Sequence, residues 1–243
     1  LSREIFPEYI KIIEENTDSE IWLDEMPPTQ MELLEKVRGV DGLLCLITDQ
    51  IDADLMDAAG SQLKVISQIA VGYNNIDINE ATKRGISVGH TPDVLTQTTA
   101  DATLALMLAS ARRITESERV VRNGNWRTWH PLHFLGQDLY KATIGIIGMG
   151  RIGQKIAKIA KSFGMIIHYH NRSKLNEEKE QGAIYHESLE SLFSVSDVLS
   201  ICCPATKETQ NLINKETLEF FPKGAVITNV RSEEHTSELQ SHS

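Results

Sequence analysis

The segment from Thr143 to Gly153 constrains the fold more than any other part of this sequence. An apolar run of strand length, Thr143–Ile147, leads directly into the glycine pattern Gly148-Met-Gly150-Arg-Ile-Gly153, and residues 154–164 continue with helical apolar spacing. A second apolar run ends at Tyr169. A glycine pattern alone is weak evidence, but a strand before it and a helix after it are its functional context. The segment predicts a βαβ unit with a parallel sheet.

The three glycines of this pattern predict a dinucleotide-binding site. Gly148 permits a tight turn, Gly150 lets the backbone approach a pyrophosphate, and Gly153 allows close packing of helix on strand. The first amides of the helix, at Arg151 and Ile152, are expected to face the phosphates. A glycine turn that binds no ligand is the alternative interpretation.

The residues after the second strand indicate which dinucleotide is bound. Enzymes that use NAD place Asp or Glu there, about 20 residues beyond the glycines, to bind the ribose 2′-hydroxyl. This sequence has Asn171, followed by Arg172, Ser173 and Lys174, and no carboxylate that would repel a 2′-phosphate. Arg172 and Ser173 can bind that phosphate. NADP(H) is therefore predicted in preference to NAD(H), with a solvent-exposed basic turn as the alternative.

Apolar runs and helical stretches alternate along the rest of the chain. Strands are predicted before the glycine pattern at Glu20–Leu23, Gly42–Ile47, Lys64–Ile69 and Ile86–Val88, and after it near Met165–Tyr169, Val198–Ile201 and Ala225–Thr228. One long helix is predicted from Val94 to Arg122, because neither Pro nor Gly interrupts that stretch. Its segment 100–111 is apolar nearly all round, which predicts burial between domains or subunits. The fold class is therefore α/β, with two doubly wound parallel-sheet domains at residues 1–93 and 94–230.

Composition and charge narrow the range of partners. The formal net charge is −10, with acidic residues scattered along 243 residues, which argues against nucleic acid or an anionic membrane as the main partner. No run of eighteen apolar residues predicts a membrane span. The three cysteines lack metal-ligand spacing, which favours a reducing, cytoplasmic location. His168 and His170 share one strand face without an apparent third ligand, so no metal site is predicted.

Several motifs in order resemble one known family. They are Ala70–Asp77, Arg84–Val88, Thr99–Asp101, Trp126–Pro131, Gly148–Gly153 and Cys203–Thr209. The chain is similar to the D-isomer-specific 2-hydroxyacid dehydrogenases, and to their glyoxylate/hydroxypyruvate reductase branch, from about Ile5 to Val230. The resemblance implies a flavodoxin-like substrate domain, incomplete in this chain, then a Rossmann-type cofactor domain, with the active site in the cleft between them. It also implies a homodimer.

The resemblance implies roles for residues outside the glycine pattern. The backbone N–H groups of Val71 and Gly72 would hold the substrate carboxylate. Trp129 would reach the active site of the neighbouring subunit and restrict it to small substrates. Cys203, Pro204 and Thr209 match a loop that lies along the cofactor, although Cys202 stands where many relatives have His.

The implied activity is NADP(H)-dependent reduction of a small 2-keto acid, glyoxylate or hydroxypyruvate, to the 2-hydroxy acid. The family uses an Arg, a Glu and a His that are not matched here. Residues 227–230 begin the arginine motif, but residues 231–243 resemble a translated sequencing-library adapter and are interpreted as a non-native tail. We therefore expect a chain truncated at both ends and catalytically inactive by itself. The alternatives are another dehydrogenase of this family, acting on phosphoglycerate, formate or phosphite, or a dinucleotide-sensing interaction protein like the co-repressors of this fold.

Overall fold

A computed structural model describes residues 1–204, 206 and 208–231 of the chain. The chain divides into two compact units, Leu1–Val94 and Leu95–Ser243. Within the described part of the chain, no helix has the length and apolar character needed to cross a bilayer. The predicted tail is represented only by Arg231, because residues 232–243 lie outside the described residues.

The first unit is built on a three-stranded parallel sheet with strand order β1-β2-β3. Two of its helices begin at aspartates, Asp52 and Asp77, whose carboxylates accept N–H groups of the first helical turn. Its elements are α1 (Pro7–Asn16), α2 (Gln30–Lys36), β1 (Gly42–Cys45), α3 (Ala53–Ala59), β2 (Val65–Gln68), α4 (Ile78–Lys83) and β3 (Ser87–Gly89).

One predicted strand of this unit is absent. Residues Glu20–Leu23 form no strand. Their backbone is hydrogen-bonded only to the first residue of the chain, where the Trp22 N–H donates to the Leu1 carbonyl at 3.0 Å. On the other side, the Ser2 N–H donates to the Leu44 carbonyl at 3.0 Å. Residues 1–3 therefore extend the hydrogen bonding of the sheet beyond β1, but over too few residues to form a ladder.

The second unit is built on a five-stranded parallel sheet with strand order β6-β5-β4-β7-β8. The order reverses at β4, which makes this sheet doubly wound and confirms the predicted α/β class with parallel sheets. The carboxyl ends of β4, β5 and β7 therefore lie side by side. The elements are α5 (Thr96–Ala111), α6 (Ile114–Arg122), β4 (Thr143–Ile147), α7 (Arg151–Ser162), β5 (Ile166–His170), α8 (Glu177–Glu180), β6 (Ile184–Tyr185), α9 (Leu189–Phe193), β7 (Val198–Ile201), α10 (Lys215–Leu218) and β8 (Val226–Asn229).

The prediction of one continuous helix from Val94 to Arg122 is wrong. The helix is broken into α5 and α6 at Arg113, whose φ of 53° is left-handed. The Ala111 carbonyl accepts the N–H of Gln137 at 2.7 Å, and a Cβ on Gly136 would lie 2.4 Å from the same oxygen. A backbone segment far along the chain therefore occupies the end of α5, which the local sequence does not reveal.

A hydrophobic cluster of the second unit lies between its sheet and helices α5 and α7, and another includes Leu192 and Phe193 of α9 with Leu199 of β7. Ile144 and Ile146 of β4 and Ile156 of α7 are fully buried, and burial of each such side chain contributes roughly 1.5–3 kcal/mol. One side of α5 joins this core through residues that include Leu104 and Met107, whereas Leu106 on another side is 49% exposed. Helix α5 is therefore buried on one side within its own unit.

Candidate functional site

The glycine pattern forms a tight loop between β4 and α7. Gly148 has a left-handed φ of 92°, and a Cβ there would lie 2.6 Å from the backbone nitrogen of Cys203. A Cβ on Gly153 would lie 2.4 Å from the Gly148 carbonyl oxygen. Gly150, in contrast, would meet nothing within 4 Å. Two glycines thus permit close packing inside the protein, and the third leaves open space at the start of a helix.

That open space fits a dinucleotide pyrophosphate. Gly150 is the N-cap of the twelve-residue helix α7. The N–H groups of the first turn have no partner within the helix and point out of its N-terminus. Arg151 is exposed, whereas the side chain of Ile152 packs against the core. Any contact that Ile152 makes with a cofactor is therefore through its backbone.

Asn171 joins the glycine loop to the end of β5. Its Oδ1 accepts the N–H of Met149 at 2.7 Å, and the His170 carbonyl accepts the N–H of Gly148 at 3.0 Å. Arg172 and Ser173, which follow, are exposed. Since Oδ1 is held by Met149, the Nδ2 donor of the same amide is directed elsewhere, and no acidic residue stands between positions 171 and 176.

The residues after the carboxyl end of β7 form the third part of this candidate site. The Cys202 N–H donates to the Ile147 carbonyl at 2.8 Å, which brings Cys203 against Gly148. Burial raises the pKa of the Cys202 thiol to about 11, so it is protonated at neutral pH. The Thr209 hydroxyl donates to the Pro204 carbonyl at 2.7 Å and accepts the Thr206 N–H at 2.8 Å. Thr209 therefore closes the loop that follows Pro204.

The predicted substrate loop lies in the first unit, after β2. The Val71 carbonyl lies 3.0 Å from Nδ1 of His90, and the Gly72 carbonyl accepts Nε2 of Gln68 at 3.2 Å. Among the described residues, neither the Val71 nor the Gly72 N–H takes part in a backbone hydrogen bond. Both carbonyls are thus held by side chains, and the N–H groups are the part of these peptides suited to an anion.

Two amide side chains that sequence reasoning missed, the buried Gln68 and the partly buried Asn75, form a hydrogen-bond network at this loop. Gln68 is 1% exposed; its Nε2 also donates to Oδ1 of Asn75 at 2.9 Å, and the Cys45 thiol donates to its Oε1 at 3.0 Å. Nδ2 of Asn75 donates to the carbonyls of Leu46 and Asp49 at 3.1 and 2.8 Å. The only sequence signal was a glutamine inside an apolar strand, which is costly to bury unless it is hydrogen-bonded.

The buried carboxylate of Asp49 completes this network. Its Oδ2 accepts the Leu46 N–H at 2.7 Å and the Ser2 hydroxyl at 2.5 Å. Burial is the main reason that the pKa of the Cys45 thiol rises to about 12, and the negative charge of Asp49 adds to it. The thiol therefore remains a hydrogen-bond donor to Gln68.

Trp129, His168 and His186 lie outside the two loops described above. Trp129 is 74% exposed in a segment without regular structure, and Trp126 stacks on Phe134 with ring centroids 6.5 Å apart. His168 and His186 contact each other through ring nitrogens 2.7 Å apart. Among the described residues, no three His, Cys, Asp or Glu side chains are placed to hold a metal ion.

Together, the doubly wound sheet, the glycine loop at its strand-order reversal and the open start of α7 define a dinucleotide-binding α/β protein. The profile of the D-isomer specific 2-hydroxyacid dehydrogenase NAD binding domain matches residues 104–236. The chain is 46% identical over 235 residues to a glyoxylate reductase of Thermococcus onnurineus, covering 95% of this chain and 70% of that protein. It belongs to the D-isomer-specific 2-hydroxyacid dehydrogenase family.

Two further comparisons agree with this assignment. A glyoxylate reductase of Aeropyrum pernix is 47% identical over 234 residues, which are 94% of this chain and 69% of that protein. The crystal structure of the TT0316 protein from Thermus thermophilus matches with a TM-score of 0.86 at 41% sequence identity. The match covers 94% of this chain and 71% of that one. The resemblance to the glyoxylate reductase branch is thereby confirmed.

Proposed function

We propose that the full-length protein to which this chain belongs reduces a small 2-keto acid, glyoxylate or hydroxypyruvate, to the 2-hydroxy acid with NADPH. The observation that carries the proposal is the 46% identity to a glyoxylate reductase over 95% of the chain. The geometry of the two candidate loops supports it. One loop offers open space and helical N–H groups to a pyrophosphate, and the other offers two backbone N–H groups to a carboxylate.

In this proposal the nicotinamide supplies the hydride, and the described residues bind and orient the reactants. The N–H groups of Val71 and Gly72 hold the substrate carboxylate without losing side-chain entropy on binding. The loop from Gly148 to Gly153 holds the pyrophosphate, and Cys203, Pro204 and Thr209 line the cofactor. Fixed donors of this kind need no reorganisation during the reaction.

The preference for NADPH rests on the turn after β5. A 2′-phosphate there meets Arg172, Ser173 and the Nδ2 donor of Asn171, and no carboxylate. A guanidinium gives a forked, charge-assisted contact with phosphate. NADH lacks the group that these side chains would bind.

Asn171→Asp tests the cofactor preference. The aspartate keeps an oxygen for the Met149 N–H but replaces Nδ2 with a negatively charged oxygen, which attracts a ribose hydroxyl and repels a phosphate. We expect NADPH affinity to fall about tenfold to a hundredfold and NADH affinity to rise, measured by titration calorimetry. Equal affinities of the wild type for the two cofactors would contradict the proposed preference.

We also propose a homodimer in which Trp129 contacts the partner's active site. The support is the number of exposed apolar side chains between residues 106 and 135 of the second unit, at Leu106, Ile114, Val121, Trp126, Trp129, Leu132 and Leu135. A contiguous exposed apolar surface is typical of an interface. Sedimentation equilibrium of the wild type and of a Trp129→Ala, Leu132→Ser variant distinguishes a dimer from a monomer.

Turnover is proposed to need more than residues 1–230. The Arg, Glu and His that the family resemblance implies have no match at these positions, and a positioned general acid alone contributes about 10²–10⁴-fold. We expect the 243-residue chain to bind NADPH without oxidising it when glyoxylate is added. NADPH oxidation above a protein-free control would overturn this expectation.

A further inference from the structure

Two tyrosines hold the turn that carries the proposed 2′-phosphate ligands. Tyr169, in β5, accepts the Leu175 N–H on its hydroxyl oxygen at 3.0 Å and donates its proton to Oε1 of Glu180 at 2.5 Å. Tyr185, in the neighbouring strand β6, donates to the Asn171 carbonyl at 3.3 Å. The turn is thus attached to the sheet at both of its ends.

The attachment through Tyr169 is the more deeply buried of the two. Tyr169 is fully buried, and its ring lies 5.3 Å from that of Tyr185. Burial, with a smaller contribution from the Glu180 hydrogen bond, raises the pKa of the Tyr169 hydroxyl to about 12. The hydroxyl therefore keeps its proton at neutral pH. Because the Tyr169 side chain is fully buried, loss of a hydrogen-bond partner there carries a desolvation cost.

Glu180 connects this attachment to the charge of the turn. Its side chain is 11% exposed, and the Oε1 atom that accepts the Tyr169 proton lies 3.8 Å from Nζ of Lys174. The Glu180 carboxylate is therefore held near the buried Tyr169, whose neutral hydroxyl donates to it. Arg172, Ser173 and Lys174 remain exposed between the fixed ends.

Fixing this backbone matters because arginine is flexible. An arginine on a mobile turn must lose both backbone and side-chain freedom when it binds a phosphate, and holding the backbone in advance removes part of that cost. NADH has no 2′-phosphate, so its binding does not depend on the same preorganisation. The arrangement is therefore expected to affect the two cofactors differently.

We propose that Tyr169 is a positioning residue for the 2′-phosphate of NADPH, acting through Leu175 and Glu180 on the turn that presents Arg172 and Ser173. The inference rests on the proposed preference for NADPH. It adds a buried residue, which contacts no cofactor, to the determinants of that preference.

Tyr169→Phe in the 243-residue chain tests the inference, because it removes one oxygen and keeps the buried ring. Calorimetric affinities are compared for NADPH and NADH, and for the fragments 2′,5′-ADP and 5′-AMP. We expect affinity for NADPH and 2′,5′-ADP to fall about five- to tenfold, and affinity for NADH and 5′-AMP to change less than about twofold. A purely structural role would lower the folded fraction and leave the ratio of the two affinities unchanged.

Ser196→Ala is the matched control. It removes another fully buried hydroxyl of the same unit, which donates to the Leu192 carbonyl at 2.7 Å. Ser196 precedes β7 and so lies at the amino ends of the strands, whereas the turn follows the carboxyl end of β5. The control is expected to lower the melting temperature and to leave the NADPH-to-NADH affinity ratio unchanged.

Substitutions at Glu180 provide a second, independent test, which also decides the matter if Tyr169→Phe does not fold. Glu180→Gln keeps an oxygen for the Tyr169 proton and should keep the preference, whereas Glu180→Ala should lose it by about fivefold. A wild type without preference for 2′,5′-ADP over 5′-AMP would refute the proposed cofactor. A wild type with that preference, fully retained by Tyr169→Phe and by Glu180→Ala, would refute only the role of Tyr169.

Discussion

The two candidate loops of this protein occupy equivalent places, yet they are shaped by opposite means. Each follows a strand of a parallel sheet at its carboxyl end, one after β2 and one after β4. The loop after β4 depends on missing side chains, since a Cβ at Gly148 or Gly153 would collide with backbone. The loop after β2 depends instead on a buried side chain, Gln68, which donates to the Gly72 carbonyl and to Oδ1 of Asn75.

The difference corresponds to two ways of orienting the backbone N–H groups that we propose as anion ligands. In the second unit, close contact of backbone with backbone fixes the loop, and the start of a helix supplies the proposed donors. In the first unit, the side-chain amide of Gln68 holds a carbonyl of the loop. Substitutions should therefore disrupt the loop after β4 when they add atoms, and the loop after β2 when they remove a hydrogen-bond donor.

The largest effect is expected from Gly148→Ala. Its Cβ would lie 2.6 Å from the nitrogen and 2.7 Å from the Cα of Cys203, and its φ of 92° is strained for alanine. The left-handed backbone alone costs about 1–3 kcal/mol. We expect NADPH affinity to fall by about a hundredfold or more, measured by calorimetry.

Gly150→Ala is the control for this prediction. No atom lies within 4 Å of the added carbon, so the melting temperature should remain that of the wild type even if the cofactor binds less tightly. Wild-type NADPH affinity in Gly148→Ala would show that the loop can relax and would remove the contrast between the two loops.

A smaller effect is expected from Gln68→Met. The substitution keeps the length of the side chain but leaves the Gly72 carbonyl and Oδ1 of Asn75 without their Gln68 donor. An unsatisfied buried polar group costs about 1–3 kcal/mol. We expect a lower urea midpoint, together with faster amide exchange at residues 70–75.

Ile66→Val, on the same strand, separates stability from loop order. Ile66 is fully buried, and loss of one methyl group typically costs about 0.5–1.5 kcal/mol, without removing a polar contact. Its exchange rates at residues 70–75 should stay at the wild-type values after correction for stability. If Gln68→Met behaves in the same way, the glutamine does not order the loop.

The smallest effect is expected from mild acid, at a histidine pair of the second unit. Burial first, and then the charges of neighbouring histidines, lower the pKa of His168 and of His186 from 6.5. His170 and the Ser191 hydroxyl are their other close polar neighbours. The unfolded chain therefore binds protons more readily, so this stability is present above pH 6.5 and is lost as the pH falls below it.

Melting temperatures measured across this pH range test the histidine pair. His168→Gln should flatten the decline below pH 6.5, whereas His130→Gln, in an exposed segment, should leave it unchanged. An unchanged decline in His168→Gln would assign the acid sensitivity to other groups.

The sequence was sufficient to predict what short-range pattern determines. The pattern from Thr143 to Gly153 predicted a strand, a turn and a helix, and the structure has all three. It did not predict the break at Arg113, because the cause lies at Gly136 and Gln137 in a later segment. Contacts between residues distant in sequence leave no local signal.

The same limit applies to the candidate site. Asn171 was noticed because it is not an acid, but its bond to the Met149 N–H depends on the pairing of β4 with β5. Likewise, Gln68 is one polar residue in an apolar run of the sequence, and its three polar partners become visible only in three dimensions. The glycine loop was predictable because its requirement is carried by the identity of consecutive residues.

The bond between Asn171 and Met149 has a genetic consequence. Only Oδ1 is needed to hold the glycine loop, and both asparagine and aspartate provide an oxygen at that position. Their codons differ by a single base, so one point mutation can replace a neutral amide with a negative charge while the loop keeps its support. If Asn171 contacts the coenzyme as proposed, selection can act on coenzyme choice here without first repairing the fold.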